Sequence, residues 1–172
     1  MPEIDTNLLE NKLPGFAAQF GKDILEVIDY RGDLTVVMNP LPIRQVLKEL
    51  KIHFSFEVLL DVFAMDYLKY EPAPQERFAV IYNLYSLSKK RRVRIKVYLK
   101  EENPVVDSVH DIYAAANWFE REAWDLFGIQ FSGHPHLMRI LCHQDFEGHP
   151  LRKDYPSDGY QKLQTAAPST GL

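Results

Sequence analysis

Four groups of residues in this sequence have the types and spacing to do chemistry. The first is the run Trp118-Phe119-Glu120-Arg121-Glu122-Ala123-Trp124-Asp125-Leu126-Phe127, which reads as one helix. Arg121 and Asp125 are i,i+4 neighbours on it and can pair. Glu122 falls on a stripe with Ala115, Phe119 and Leu126, where an ionised carboxylate is costly unless paired. Glu120 shares a third face with Trp124 and Phe127. A helix that is apolar on several sides is buried on several sides. Either its own core with internal ion pairs or a partner chain can do the burying, and the spacing leaves both open. General acid–base work by these carboxylates would need a nucleophile or cleft motif beside them, and none accompanies them.

The second group is a histidine cluster. Of six histidines, His134, His136, His143 and His149 fall close together, with Cys142 among them. These are zinc-ligand types, which would suit a zinc-dependent hydrolase. The spacing fits neither a finger nor a His-Glu-x-x-His helix. The interleaved Gly and Pro suggest an extended wrap, with imidazoles packed on aromatics or donating to carbonyls. The third group, Asp145-Phe146-Glu147-Gly148-His149-Pro150-Leu151-Arg152-Lys153-Asp154-Tyr155-Pro156, is dense in charge of both signs, aromatics and Pro. An Arg there can fork onto a carboxylate, which orients an interface, while a surface loop with scattered charges is the plain alternative. The fourth is the basic run Lys89-Lys90-Arg91-Arg92, continuing as Arg94 and Lys96. On a sheet it could meet RNA or an acidic protein, or be a solvated face. It lacks the glycine-aromatic signature of RNA-reading sheets.

These groups must be positioned by a chain of 172 residues with 46% hydrophobic and 26% charged residues, suited to one domain plus a tail. A net charge of −4 gives no support to broad nucleic-acid binding. One cysteine, Cys142, makes neither an internal disulfide nor a four-cysteine metal or iron–sulfur site. No signal-like start and no run of about 18 apolar residues is present, so the expected compartment is cytoplasmic, without a direct membrane span.

Leu9, Leu13, Phe16 and Phe20 mark a helical face broken at Pro14-Gly15. Asp23–Tyr30 and Leu34–Met38 read as strands joined by a turn at Arg31-Gly32-Asp33. Ile43, Val46, Leu47 and Leu50 mark a short helix. Phe56–Tyr70 and Phe78–Leu87 read as strands, the second apolar on both faces and therefore interior. Arg92–Val97 alternates strictly. A helix follows over 111–127, with Ser108 and Asp111 at capping-box spacing and Gly128 as its stop. Regular structure fades after Phe131. The order α-β-β-α-β-β-β-α plus a tail argues for a two-layer α+β domain, a mixed and mostly antiparallel sheet with helices on one face. Residues 1–130 form the expected domain and 131–172 an extended segment.

The stretch from Ala115 to Ile129, with Trp118-Phe119-Glu120-Arg121-Glu122-Ala123-Trp124-Asp125-Leu126-Phe127-Gly128 at its centre, resembles the signature of the C, or 30-kDa, subunits of proton-pumping NADH:quinone oxidoreductase, respiratory complex I. Gly148-His149-Pro150-Leu151-Arg152-Lys153-Asp154-Tyr155-Pro156 is similar to that family's second motif. Gly133-His134-Pro135 and Arg139-Ile140-Leu141 between them also fit. The sequence departs from the pattern at Met138, where a basic residue or Pro is usual, and at Ala114, where Pro often opens the helix.

The resemblance implies a peripheral-arm subunit of bacterial type with no catalytic residue and no cofactor of its own. FMN, iron–sulfur clusters and quinone belong to partner subunits. It implies packing on the D subunit, which helps form the quinone site, near the B subunit of the terminal cluster, on the cytoplasmic side of the cell membrane. Equivalent subunits occur in membrane-bound hydrogenases and other complex I-like dehydrogenases. Glu120, Arg121, Glu122 and Asp125 are then expected as paired charges at or beneath the partner surface. Arg152, Lys153 and Asp154 are expected as intermolecular contacts, with His134, Arg139, His149 and Tyr155 on the same interface.

Overall fold

A computed structural model describes residues 5–72, 74, 76–158 and 161. Two short helices open it, α1 (Thr6–Lys12) and α2 (Phe16–Phe20), followed by a tight turn of 3-10 helix at Gly21–Asp23. Asp5 caps α1 by accepting the Leu8 N–H at 2.9 Å. Gly15, at φ 81°, breaks the chain between the helices. Leu9, Leu13, Phe16 and Phe20 nevertheless all reach the core, because a break of that length keeps their common face.

Strands β1 (Ile24–Tyr30) and β2 (Asp33–Met38) form a hairpin whose loop residues Arg31 and Gly32 both have positive φ, at 54° and 91°. That twist matches the right-handed twist of paired strands. α3 (Ile43–Ile52) buries Ile43, Val46, Leu47 and Leu50. β3 (Val58–Asp66), β4 (Phe78–Ser86) and β5 (Arg91–Leu99) complete a five-stranded sheet of order β1-β2-β5-β4-β3. Its neighbours are antiparallel except β2 and β5, which run parallel from Leu34 opposite Val93 to Met38 opposite Val97. The fold class is therefore as expected, α+β with a mixed sheet.

One sheet face carries the core. Val36, Val80, Tyr82, Leu84, Val93, Ile95 and Val97 meet Leu9, Phe16, Val46, Leu47, Leu50 and Ala123 from the helices there. The other face holds a smaller cluster, Tyr67, Ala79 and Ile81 with Phe63, Met65 and Tyr98 beside them. Apolar residues on both faces of β4 accordingly mark an interior strand.

Two boundaries, one helix cap and a pair of short strands differ from the sequence expectation. The third strand is shorter than Phe56–Tyr70, because Ser55 at φ 60° and the Phe56 N–H bonded to Leu50 O belong to the exit from α3. The last helix, α4, spans Ala116–Phe127, and residues 111–115 lie outside it. The Ser108–Asp111 capping box does not form. Asp111 instead takes both Arg44 nitrogens at 2.9 and 2.7 Å, and Ser108 engages Glu120. Finally, β6 (Val105–Asp107) and β7 (Gln130–Ser132) pair in parallel around α4. Three residues per strand fall below any periodicity a sequence can display.

Candidate functional site

The site is built on the end of α4. A helix leaves its last carbonyls without intrahelical partners. Here three in a row are taken by the segment that follows β7. His149 Nδ1–H donates to Asp125 O at 2.9 Å, Leu151 N–H to Leu126 O at 3.0 Å, and Arg152 Nε–H to Phe127 O at 2.6 Å. The Arg152 cation also lies where the helix dipole is negative, and over the Phe78 ring at 5.1 Å. Gly128 makes this approach possible. It sits in the left-handed region at φ 77°, and a Cβ on it would come within 2.6 Å of both Arg152 Nη2 and the His149 ring.

Asp125, fully buried, organises the next layer. Its Oδ1 accepts Arg139 Nη1 at 2.6 Å, and its Oδ2 accepts the Ile140, Leu141 and Cys142 N–H groups at 3.0, 2.8 and 2.9 Å. Burial pushes its carboxyl up. The backbone donors of Cys142, Ile140 and Leu141, with Arg139, outweigh that and hold it down at about 2. Arg139 in turn donates to Gly148 O at 3.0 Å and lies over the Trp124 and Phe146 rings at 5.7 and 5.5 Å.

The i,i+4 pairing of Arg121 with Asp125 does not occur. Asp125 is saturated, and Arg121 donates to Met138 O and Arg139 O at 3.1 and 3.0 Å while stacking on Trp118. Residues 138–142 are thus fixed by one buried acid and two arginines.

A second charge cluster anchors the far end of the segment. Arg77 grips Asp66 with Nε and Nη2 at 3.0 and 2.8 Å, and also pairs with Asp154 at 2.8 Å and Glu101 at 2.5 Å. Asp66 accepts the Lys153 N–H at 2.8 Å as well. The Asp66 side chain is completely buried. Burial pushes its carboxyl up, but Arg77 and the Lys153 and Leu68 N–H groups bring it below the usual range. Tyr155 stacks on Phe146 at 5.9 Å, and Gly148 leaves room for its ring. Asp66 and Arg77 carried no signal in the sequence, since they pair across a strand hairpin and then with residues far downstream.

Of the remaining expected residues, Glu120 is fully buried and Glu122 is exposed. The apolar stripe therefore runs through Glu120 and not, as expected, through Glu122 half a turn away. It also holds Ala116 and Ala123. Glu120 Oε1 accepts the Val109 N–H at 2.7 Å, and Oε2 accepts the Ser108 hydroxyl. Burial pushes this carboxyl up to about 7 against those two hydrogen bonds. His134 donates from Nε2 to Asn117 O and accepts the His136 N–H at Nδ1, both at 3.0 Å, which fixes its tautomer. Burial lowers the pKa of His134 and of His149, favouring neutral rings.

Among the described residues no group of three or more His, Cys, Asp and Glu is placed to hold a metal ion, so the zinc-hydrolase alternative gains no site. On the basic strand, Arg94 bonds Asn83 and Thr35, and Lys96 lies between the Tyr67 and Tyr98 rings. Outward from the strapped helix, Trp118 is 59% exposed, Leu141 62% and Leu151 47%.

The sequence pattern described as "Respiratory-chain NADH dehydrogenase, 30 Kd subunit" matches residues 36–161, most of the chain and all of this site. The chain belongs to that family. This 30-kDa-subunit chain is 46% identical over 155 residues to the C subunit of the NADH-quinone oxidoreductase of Trichlorobacter lovleyi, covering 90% of this chain and 92% of the relative. Among solved structures it resembles "Nqo5 of the trypsin-resistant fragment (1-134)", at TM-score 0.61 and 36% identity over 77% of this chain and 98% of that one. A chain of an archaeal membrane-bound sulfane sulfur reductase shares the fold, at TM-score 0.69 and 22% identity over 88% of this chain and 84% of the other. As a member of the 30-kDa family, this chain is a subunit of an oxidoreductase complex and works beside other subunits. None of its described helices is long and apolar enough to cross a membrane.

Proposed function

We propose that this chain is a non-redox scaffold in the peripheral arm of NADH:quinone oxidoreductase. It holds the quinone-site (D) and terminal-cluster (B) subunits at fixed separation while electrons pass from NADH to quinone and protons are translocated. FMN, the clusters and quinone sit on those and other subunits, and the chain lies on the cytoplasmic side of the bacterial membrane, held there through the complex. The observation that carries the reading is the use of the motif residues. Asp125, Arg139, His149 and Arg152 spend their polar atoms on helix-end carbonyls, backbone amides and each other. Groups so engaged hold shape; a general acid or base needs a free proton position facing a substrate. The exposed Trp118, Leu141 and Leu151 supply apolar contact area for a neighbour, and Trp is a frequent interface anchor.

We further propose that residues 131–172 are the partner-binding segment and 1–130 the self-standing domain. The Nqo5 structure is that of a trypsin-resistant fragment, and this chain covers 98% of it, which supports such a division. The test is affinity purification of the tagged chain from gently solubilised source membranes, with mass spectrometry of its companions and an assay of the eluate. Co-purified D and B subunits with NADH-driven quinone reduction are the expected result. The same companions with hydrogen- or ferredoxin-driven activity would move the chain to a sister complex, and its recovery alone would overturn the scaffold reading.

A further inference from the structure

Glu120 takes no part in the strap, and its surroundings are unusual for an ionised acid. It is fully buried, and among the described residues its two oxygens accept hydrogen bonds only from the Val109 N–H and the Ser108 hydroxyl. The groups around it come from five elements. Asp107 ends β6, while His110 and Asp111 follow on the turn before α4. Tyr82 on β4 places a buried hydroxyl nearby that has no hydrogen-bond partner among the described residues. β3 turns Leu59, Val62 and Ala64 into this layer, with Asp66 at its far end already held by Arg77. α3 contributes Arg44, whose guanidinium is engaged by Asp111 and by Ser108 O. Among the described residues no counter-ion is therefore committed to Glu120, and burying an unpaired charge is costly.

The Ser108 hydroxyl meets three groups: Glu120 Oε2 on one side, His110 Nδ1 at 3.0 Å on the other, and the His110 backbone N–H, which it accepts at 3.4 Å. A serine hydroxyl has one proton to give. It therefore donates in only one direction at a time. His110 is half-buried, has the His134 ring 5.8 Å away, and lines a shallow cleft with Arg44, Asp107, Asp111, Ser132 and Gly133.

We propose that Glu120, Ser108 and His110 form a proton wire through which the protonation of a buried acid sets the tautomer of a surface imidazole. With Glu120 protonated, its hydroxyl donates to Ser108 Oγ, Ser108 donates to His110 Nδ1, and the imidazole carries its proton on Nε2. With Glu120 ionised, Ser108 turns to donate to Oε2, and a neutral His110 ring donates from Nδ1, leaving Nε2 bare. The balance is one proton. It leaves the Glu120 carboxyl for Ser108, the serine's own proton moves to Nδ1, and the Nε2 proton departs into the cleft. The cleft thus offers a donor in one state and an acceptor in the other. Burial, which pushes Glu120 up to about 7, sets the changeover near neutral pH. The wire does not depend on the scaffold reading.

The test is NMR of the full chain with 15N-labelled histidine and 13C-labelled glutamate side chains, followed across neutral pH. The ring nitrogen shifts of His110 distinguish Nε2–H from Nδ1–H directly. The expected result is that the His110 tautomer ratio inverts at the pH where the Glu120 carboxyl signal titrates. Glu120→Gln, whose amide donates as the acid does, should hold His110 in the Nε2–H form throughout. Ser108→Ala should leave Glu120 titrating while His110 no longer follows. A Glu120 carboxylate that is ionised across the whole range would overturn the proposal. So would a His110 tautomer that stays put while Glu120 titrates, and the unsubstituted chain alone shows either outcome.

Discussion

Two buried carboxylates one helix turn and a half apart behave in opposite ways, and the difference lies in their donors. Asp125 receives three backbone N–H groups and an arginine, whereas Glu120 receives one N–H and a hydroxyl. Their effects on stability against pH are therefore of opposite sign. Asp125 is held at about 2 in the fold against an ordinary 3.8. Its contribution of about 2 kcal/mol is present above the ordinary value and is lost as pH falls through about 2. Glu120 is raised from 4.5 to about 7. Stability is full below 4.5 and declines as pH rises through 7, by about 3 kcal/mol. Urea unfolding of the full chain between pH 4 and 9 should show that decline, and Glu120→Gln should flatten it. Persistence of the slope in the variant would put its origin elsewhere.

Gly128 is the other decisive residue. Gly128→Ala combines a left-handed alanine with a Cβ inside the contact radius of Arg152 and His149. The expected destabilisation is about 3 kcal/mol, read as a lower urea midpoint, and the strap should become protease-sensitive. A midpoint within about 0.5 kcal/mol of the parent would show that the end of α4 yields freely.

At the scale of elements, α4 and the segment after β7 act as one unit, joined through its last carbonyls and through Asp125, and tied to β3 and β4 by Arg77. Arg77→Ala should cost about 3 kcal/mol, because it strands the buried Asp66 carboxylate. It should also raise the rate of proteolysis within 145–158. An unchanged cleavage rate would separate the cluster from the strap.

Most of these elements could be read from the sequence, for physical reasons. Helical periodicity exposed α3, an apolar run exposed β4, strict alternation exposed β5, and Gly128 announced the end of α4. β6 and β7 were illegible because three residues carry no period. The Ser108–Asp111 box misled because both side chains found stronger partners across the fold, in Glu120 and Arg44. Likewise the i,i+4 rule suggested Arg121 for Asp125, and tertiary donors from residues 139–142 won. The carboxylates, histidines and arginines of the two motifs were visible as residues that matter. Which of them touch, and the roles of Asp66 and Arg77, needed three dimensions, since their separations in sequence follow no local pattern.

At the scale of the whole molecule, the sheet and its helices form a body onto which the C-terminal motif is strapped with Trp118, Leu141 and Leu151 left facing outward. Family membership places that body among the subunits of an oxidoreductase complex. On the scaffold reading the strap serves geometry, keeping neighbouring subunits in register, and takes no part in a chemical step. Arg152 is the most informative residue here, because it closes α4 without any ion-pair partner of its own among the described contacts. The direct measurement is to replace the native subunit with Arg152→Ala and determine two quantities separately: the amount of assembled complex in the membrane, and NADH:quinone turnover per assembled complex. A scaffold role predicts a severalfold loss of assembled complex with unchanged turnover in what remains. Normal assembly with slowed turnover would contradict it.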